Sequence, residues 1–80
     1  MKTLTHNQRA EIFSGIKCGF QQYLRNVHGW TYQKIADYFG ITKRAVWNHC
    51  NGDYTIKSWE QRTEEEVKKY EQLYNKYILS

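Results

Sequence analysis

Lys43, Arg44, Trp47, Asn48 and Asn51 recur at intervals that bring all five to one side of an α-helix. Their side chains suit the edges of nucleic-acid bases. A guanidinium such as Arg44 can make two parallel hydrogen bonds to guanine, and a carboxamide such as Asn48 can do the same with adenine. Lys43 and Thr42, at the start of that helix, can reach phosphates or base edges, helped by exposed backbone N–H groups. Tyr32 and Gln33 open a preceding helix and are placed to grip a phosphate backbone. Trp47 has two readings: it stacks on a sugar or a thymine methyl, or it packs against the C-terminal helix and anchors it. Taken alone, Lys43 and Arg44 would be ordinary solvated charge, so their meaning depends on what holds them.

The holding elements are legible in TYQKIADYFGITKRAVWNHCN, residues 31–51. Thr31 caps a helix over 32–39 and Gly40 closes it. Thr42 then caps a second helix over 43–51, which Gly52 closes. Ile35, Ala36, Phe39, Ile41 and Val46 face inward below the turn. Ala36 is small where the helices cross, and Gly40 supplies a bend that needs positive φ. A small residue, a glycine four later and a branched aliphatic six after that match the spacing of a helix-turn-helix, whose second helix enters the DNA major groove. The plain structural alternative is an αα-hairpin with no ligand.

Leu4, Thr5, Gln8, Arg9 and Ile12, followed by GWTYQKIADYFGITKRAV, resemble homeodomain-like helix-turn-helix domains. Those of transposases, resolvases and small phage or bacterial regulators are similar. The resemblance covers about residues 4–51, and its specific part is 31–47. It implies a trihelical DNA-binding unit with the third helix as reader, and it carries over to Arg44, Trp47 and Asn48. Two positions depart from the pattern. The first helix is about ten residues longer, and His49 stands where a buried aliphatic is usual. Either Cys50 takes that inward place or His49 is half-buried and hydrogen-bonded.

Thr5 and Gln8 can form a capping box that starts a helix near residue 6. Its apolar side runs Ile12, Phe13, Ile16, Phe20, Tyr23, Leu24 and Val27, with His28 and Gly29 suited to its C-terminal end. One helix over this stretch is expected. Gly15 and Gly19 within it mark either a close approach by another helix or a break near residue 15. Trp30 reads as a hydrophobic staple or core residue. Residues 53–57 form a turn or a brief extended, wing-like piece. The final helix has two possible starts, Ser58 with Gln61 and Thr63 with Glu66. Its stripe is Val67, Tyr70, Leu73, Tyr74, Tyr77 and Ile78, and Glu64–Lys68 and Glu65–Lys69 pairs are expected opposite. Trp59 is expected to pin this helix to the body.

Eighty residues suffice for one small domain, with roughly 60–65% of the unfolded surface buried. That leaves little room for a deep catalytic pocket, and no enzyme is expected. Proline is absent and aromatic residues make up 16% of the chain. No apolar run approaches the ~20 residues that span a membrane, and MKTLTHNQR lacks a signal-peptide core. Cys18 and Cys50 are expected to be reduced thiols in a cytoplasmic, DNA-associated protein. Neither a CxxC nor an HxxxH pair is present, so no metal or other cofactor is expected. The net charge is +4, but residues 1–57 carry +5 and residues 58–80 carry −1. The basic excess thus lies with the paired helices, where phosphate would be met.

The expectation is an all-α protein: a small trihelical helix-turn-helix unit over 1–57, and a C-terminal amphipathic helix in 58–80 that covers the unit or pairs it with a second copy as a homodimer. Its expected partner is double-stranded DNA, read in the major groove as by a small phage- or bacterial-type transcriptional regulator. Two other readings stand beside it. One is a protein-interaction module, such as a phage factor gripping host transcription machinery. The other is a DNA-packaging or recombination accessory factor.

Overall fold

Threonines set four of the five helix starts. The hydroxyl of Thr5 accepts from the Gln8 N–H, Thr31 from Lys34, Thr42 from Ala45 and Thr63 from Glu66, all at 3.1–3.2 Å. Each satisfies an N–H that has no partner within its helix. The resulting helices are α1 (His6–Ile12), α3 (Tyr32–Phe39), α4 (Lys43–Trp47) and α5 (Glu64–Tyr74). α2 (Lys17–Val27) has no such cap at Ile16. The computed structural model describes residues 5–52 and 55–79, and these contain helices and turns but no strand, so the fold is all-α.

The single long first helix expected from the sequence is two. α1 ends at Ile12, and the chain turns through Phe13–Ile16 with Gly15 left-handed at φ 77°. Aromatic packing gives the reason. In a continuous helix the backbones at Phe13 and Phe20 would stand about 10 Å apart, whereas the bend brings their ring centroids to 4.6 Å. Both rings then meet Phe39 of α3 edge-on, at 5.3 and 6.2 Å. Val27, expected on the apolar side, is 51% exposed in the last turn of α2. The end of α2 follows expectation: His28 caps it, Gly29 is left-handed at φ 68°, and the Trp30 N–H closes on the Leu24 carbonyl.

The core joins Phe13, Phe20, Tyr23 and Leu24 to Ile35, Ala36 and Phe39 of α3, Val46 of α4 and Tyr70 of α5. Thus the C-terminal helix contributes to the same core as the paired helices. Val67, Leu73, Tyr74 and Ile78 pack against this core, as does Trp59 from the 3₁₀ turn Trp59–Gln61. Both expected starts exist: the Ser58 N–H donates to Gln61 Oε1 at 3.0 Å before that turn, and Thr63 opens α5 proper. After Tyr74 the chain continues as a π-helical turn, Asn75–Leu79. The expected Glu64–Lys68 and Glu65–Lys69 pairs do not form; all four side chains are exposed, where such pairs contribute little. Of the connection 53–57, residues 53 and 54 lie outside the described residues, as does Leu4; Thr55 and Ile56 form a turn and bend.

Gly19 sits where α5 crosses α2. A Cβ there would overlap the Tyr70 hydroxyl and lie 3.2 Å from the Arg62 guanidinium carbon. Tyr70 is 2% exposed, with its ring against Phe20 and Tyr23, so it cannot step aside. Gly19→Ala should therefore destabilise the fold by about 1–3 kcal/mol despite alanine's better helix propensity. Combination with Tyr70→Phe, which removes the overlapping hydroxyl, should recover part of that loss. Gly15→Ala meets open space and only the strain of its positive φ, about 1–2 kcal/mol. Urea unfolding of the three variants checks the ranking; a Gly19→Ala protein as stable as the parent would contradict the close crossing.

Candidate nucleic-acid interface

Gly40 closes α3 in the left-handed region at φ 67°, and both its N–H and that of Ile41 turn back to the Ala36 carbonyl. Thr42 then starts α4 two residues later. Ile35, Ala36, Phe39 and Val46 are buried and Ile41 is half-buried against them, while Gly40 is exposed at the turn. With that side committed to the core, Lys43, Arg44, Trp47 and Asn48 are left exposed on the other. Together with Tyr32 they line one open recess of about 590 Å³.

The second helix of the pair is shorter than expected. The α-helical part ends at Trp47, and Asn48–Gly52 widens into a π-helical turn. A wider turn lets the consecutive residues His49 and Cys50 both sit half-buried against the body. His49 Nδ1 lies 2.6 Å from Gln21 Oε1, and Cys50 packs on the core. Both alternatives for the inward position are therefore realised. Burial pushes the Cys50 thiol up to about 11, so it is protonated at neutral pH and a poor nucleophile. Cys18 and Cys50 are not disulfide-bonded. Among the described residues no group of three His, Cys, Asp or Glu side chains is arranged to hold a metal ion, and no helix is long and apolar enough to cross a membrane.

The sequence-selected residues do not all stand alike. Lys43 and Arg44 have neither an ion pair nor a hydrogen bond among the described residues, and their charge faces solvent. Trp47 is 48% exposed and lies across Gly52, where a Cβ would come within 2.7 Å of the indole ring. It is not among the side chains packed on the core that α5 shares. Asn51 is committed locally: its Nδ2 donates to the Tyr32 hydroxyl at 2.8 Å. The Gln33 amide donates to Asp37 at 2.9 Å along α3 and does not line the recess. The Thr42 hydroxyl is engaged as the cap of α4.

Three contributors are not singled out by the sequence pattern. Arg25, from the last turn of α2, places its guanidinium 4.7 Å over the Tyr32 ring and donates to the Trp30 carbonyl at 3.1 Å. Gln21 and Gln22 are fully buried in the middle of α2. Gln22 Nε2 donates at 2.9 Å to the carbonyls of both His49 and Lys57, and its Oε1 accepts from Arg62 Nε at 3.0 Å. The end of the α4 segment is thereby tied through α2 to the stretch before α5. Only the interval of one helical turn between Gln22 and the Gly19 contact hints at it.

On the tail side two cations share one carboxylate. Glu66 pairs with Lys57 at 3.2 Å and with Arg62 at 3.3 Å, while Arg62 also donates to the Lys57 carbonyl at 3.0 Å. The Thr63 N–H, then the Lys57 and Arg62 side chains, pull the Glu66 carboxyl down to about 2. A depressed carboxyl stabilises the fold fully above the ordinary glutamate range near pH 4.3, and that stability is lost as pH falls from there toward 2. Glu66→Gln should thus lower stability at pH 7 and flatten the acid limb between about pH 5 and 2, read by thermal unfolding across pH. An acid limb as steep as the parent's would place the dependence elsewhere. Gln22→Leu removes a donor from the His49 and Lys57 carbonyls and the acceptor of Arg62 Nε, and should cost more than about 2 kcal/mol in urea unfolding.

In comparisons with protein families, with curated proteins and with solved structures, the chain matches none.

Proposed function

We propose that this protein binds double-stranded DNA sequence-specifically, with α3, the Gly40 turn and α4 acting as a helix-turn-helix and α4 as its reader, in the manner of a small phage or bacterial transcriptional regulator. The observation that carries the reading is the partition of α4. Val46 is buried with Ile35, Ala36 and Phe39, while Lys43 and Arg44, which form no ion pair among the described residues, share an exposed face with Trp47 and Asn48. Cations without partners beside planar amide and aromatic groups suit phosphate anchoring combined with base-edge recognition.

In this reading Arg44 and Asn48 read base edges, and Lys43 holds a phosphate. Tyr32, its ring held by Arg25 and its hydroxyl by Asn51, borders the recess where the backbone of the duplex would pass. Asn51 acts chiefly by fixing Tyr32, and Thr42 by fixing the start of α4. The two-fold pairing considered for residues 58–80 has less surface to use than the stripe suggests, because Tyr70 is buried and Val67, Leu73, Tyr74 and Ile78 pack inward. Leu79, 68% exposed, and Tyr77 would form any contact between copies. Sedimentation of the intact chain and of Leu79→Glu decides it: a dimer abolished by Leu79→Glu supports pairing, and a monomer excludes it.

Affinity for duplexes from a random-site selection should fall steeply with salt, as condensed counterions are displaced, with a log–log slope of about −0.9 per phosphate held. Arg44→Ala should cost about 1–3 kcal/mol at the selected site and relax preference at one base pair. Lys43→Ala should weaken all sequences alike and reduce the slope by about 1. A response flat in salt would remove the DNA reading in favour of a protein partner.

A further inference from the structure

We infer that the recess beside Trp47 takes the C5-methyl group of a thymine, so that this chain tells thymine from the other bases by apolar contact as well as by hydrogen bonds. The inference rests on the DNA reading above and specifies the chemistry of its site. Base faces in a duplex are covered by their neighbours, and only base edges are presented in the major groove. The one apolar group on those edges is the thymine methyl. An aromatic side chain in the middle of a base-reading face has that group as its matching partner. Trp47 stands in this position, three residues after Arg44 and immediately before Asn48, with the unpaired charges of Lys43 and Arg44 complementary to the flanking phosphates.

The recess is also built in advance. One wall is the indole, 48% exposed and resting on Gly52, where a Cβ would stand 2.7 Å from Cζ3 and 3.2 Å from Cε3. The other is Tyr32, held by Arg25 at 4.7 Å over its ring and by the Asn51 amide at 2.8 Å on its hydroxyl. Side chains already restrained lose little freedom when a ligand enters, so the burial of even one methyl group is realised as affinity. Gly52 then has a role beyond ending the turn: the lack of a side chain there lets the indole lie back and leaves the recess open.

The test uses the intact chain and the duplex recovered by selection, with each thymine replaced in turn by 2′-deoxyuridine, which differs only in lacking the methyl. One position, at the Trp47 contact, should weaken binding about fourfold, the worth of one buried methyl group. Trp47→Ala should bind the thymine and deoxyuridine duplexes equally, and Gly52→Ala, which displaces the indole, should show reduced discrimination. Arg44→Ala should keep the preference for thymine at that position while losing its own base. If the parent binds every deoxyuridine duplex as tightly as the thymine duplex, or if Trp47→Ala retains the discrimination, the inference is overturned while the DNA reading stands. Absence of salt-dependent binding to any duplex overturns both.

Discussion

Gln22 is the side chain through which the parts of this molecule hold one another. A carboxamide offers two donors and an acceptor without a net charge, and all are used: the donors on the carbonyls of His49 and Lys57, the acceptor on Arg62. Its position is fully buried. An apolar residue there would remove three hydrogen bonds from the buried middle of α2, and a charged one would bear the cost of desolvation. Arg62 extends the tie to Glu66, and the Tyr70 hydroxyl donates to the same carboxylate at 3.4 Å. The chain beyond the paired helices is therefore a structural part of the α4 segment's far end, not an appendage to it.

The core solves the problem of a short chain with aromatic rings. Phe13, Phe20 and Phe39 meet in its centre, and tyrosines close its margins; the hydroxyls of Tyr23 and Tyr70 are engaged, while that of Tyr38 is buried without a hydrogen-bond partner. Tyr23 shares a hydrogen bond with His28 Nε2 at 2.9 Å, and the same imidazole stacks on Tyr74 at 3.8 Å between centroids. Burial raises the ionisation of both Tyr23 and Tyr70 above the ordinary tyrosine range. Two glycines make this packing possible for opposite reasons. Gly15 supplies a backbone conformation that turns Phe13 back toward Phe20, and Gly19 supplies the absence of a Cβ beneath Tyr70.

The same packing divides the charge. Glu66 draws Lys57 and Arg62 into one cluster at the start of α5 and neutralises part of the basic excess there. Lys43 and Arg44 lie on α4 with no ion pair to a carboxylate among the described residues. Among the described residues, α4 thus presents positive charge without an ion pair beside Trp47 and Tyr32, while Lys57 and Arg62 are engaged in holding the tail. Arg25 belongs with the first group, since it braces Tyr32 from α2 and adds charge at the edge of the recess.

The local features follow from residue types and their spacing. Threonine caps, the glycine at residue 40 and the inward set Ile35, Ala36, Phe39 and Val46 were legible because they depend on backbone conformation and helical period within a few residues. The outward set Lys43, Arg44, Trp47 and Asn48 followed from the same period. Features that need a partner far along the chain emerge only when the helices pack. The break at Gly15 follows from rings that meet across the core, and the glutamines of α2 look like solvent-facing residues until His49, Lys57 and Arg62 surround them. The seat of Trp47 on Gly52 and the tether between Asn51 and Tyr32 depend on a widened turn that helical periodicity does not encode. Periodicity sorts residues into inside and outside, but which polar groups are brought together inside is set by the packing of the helices.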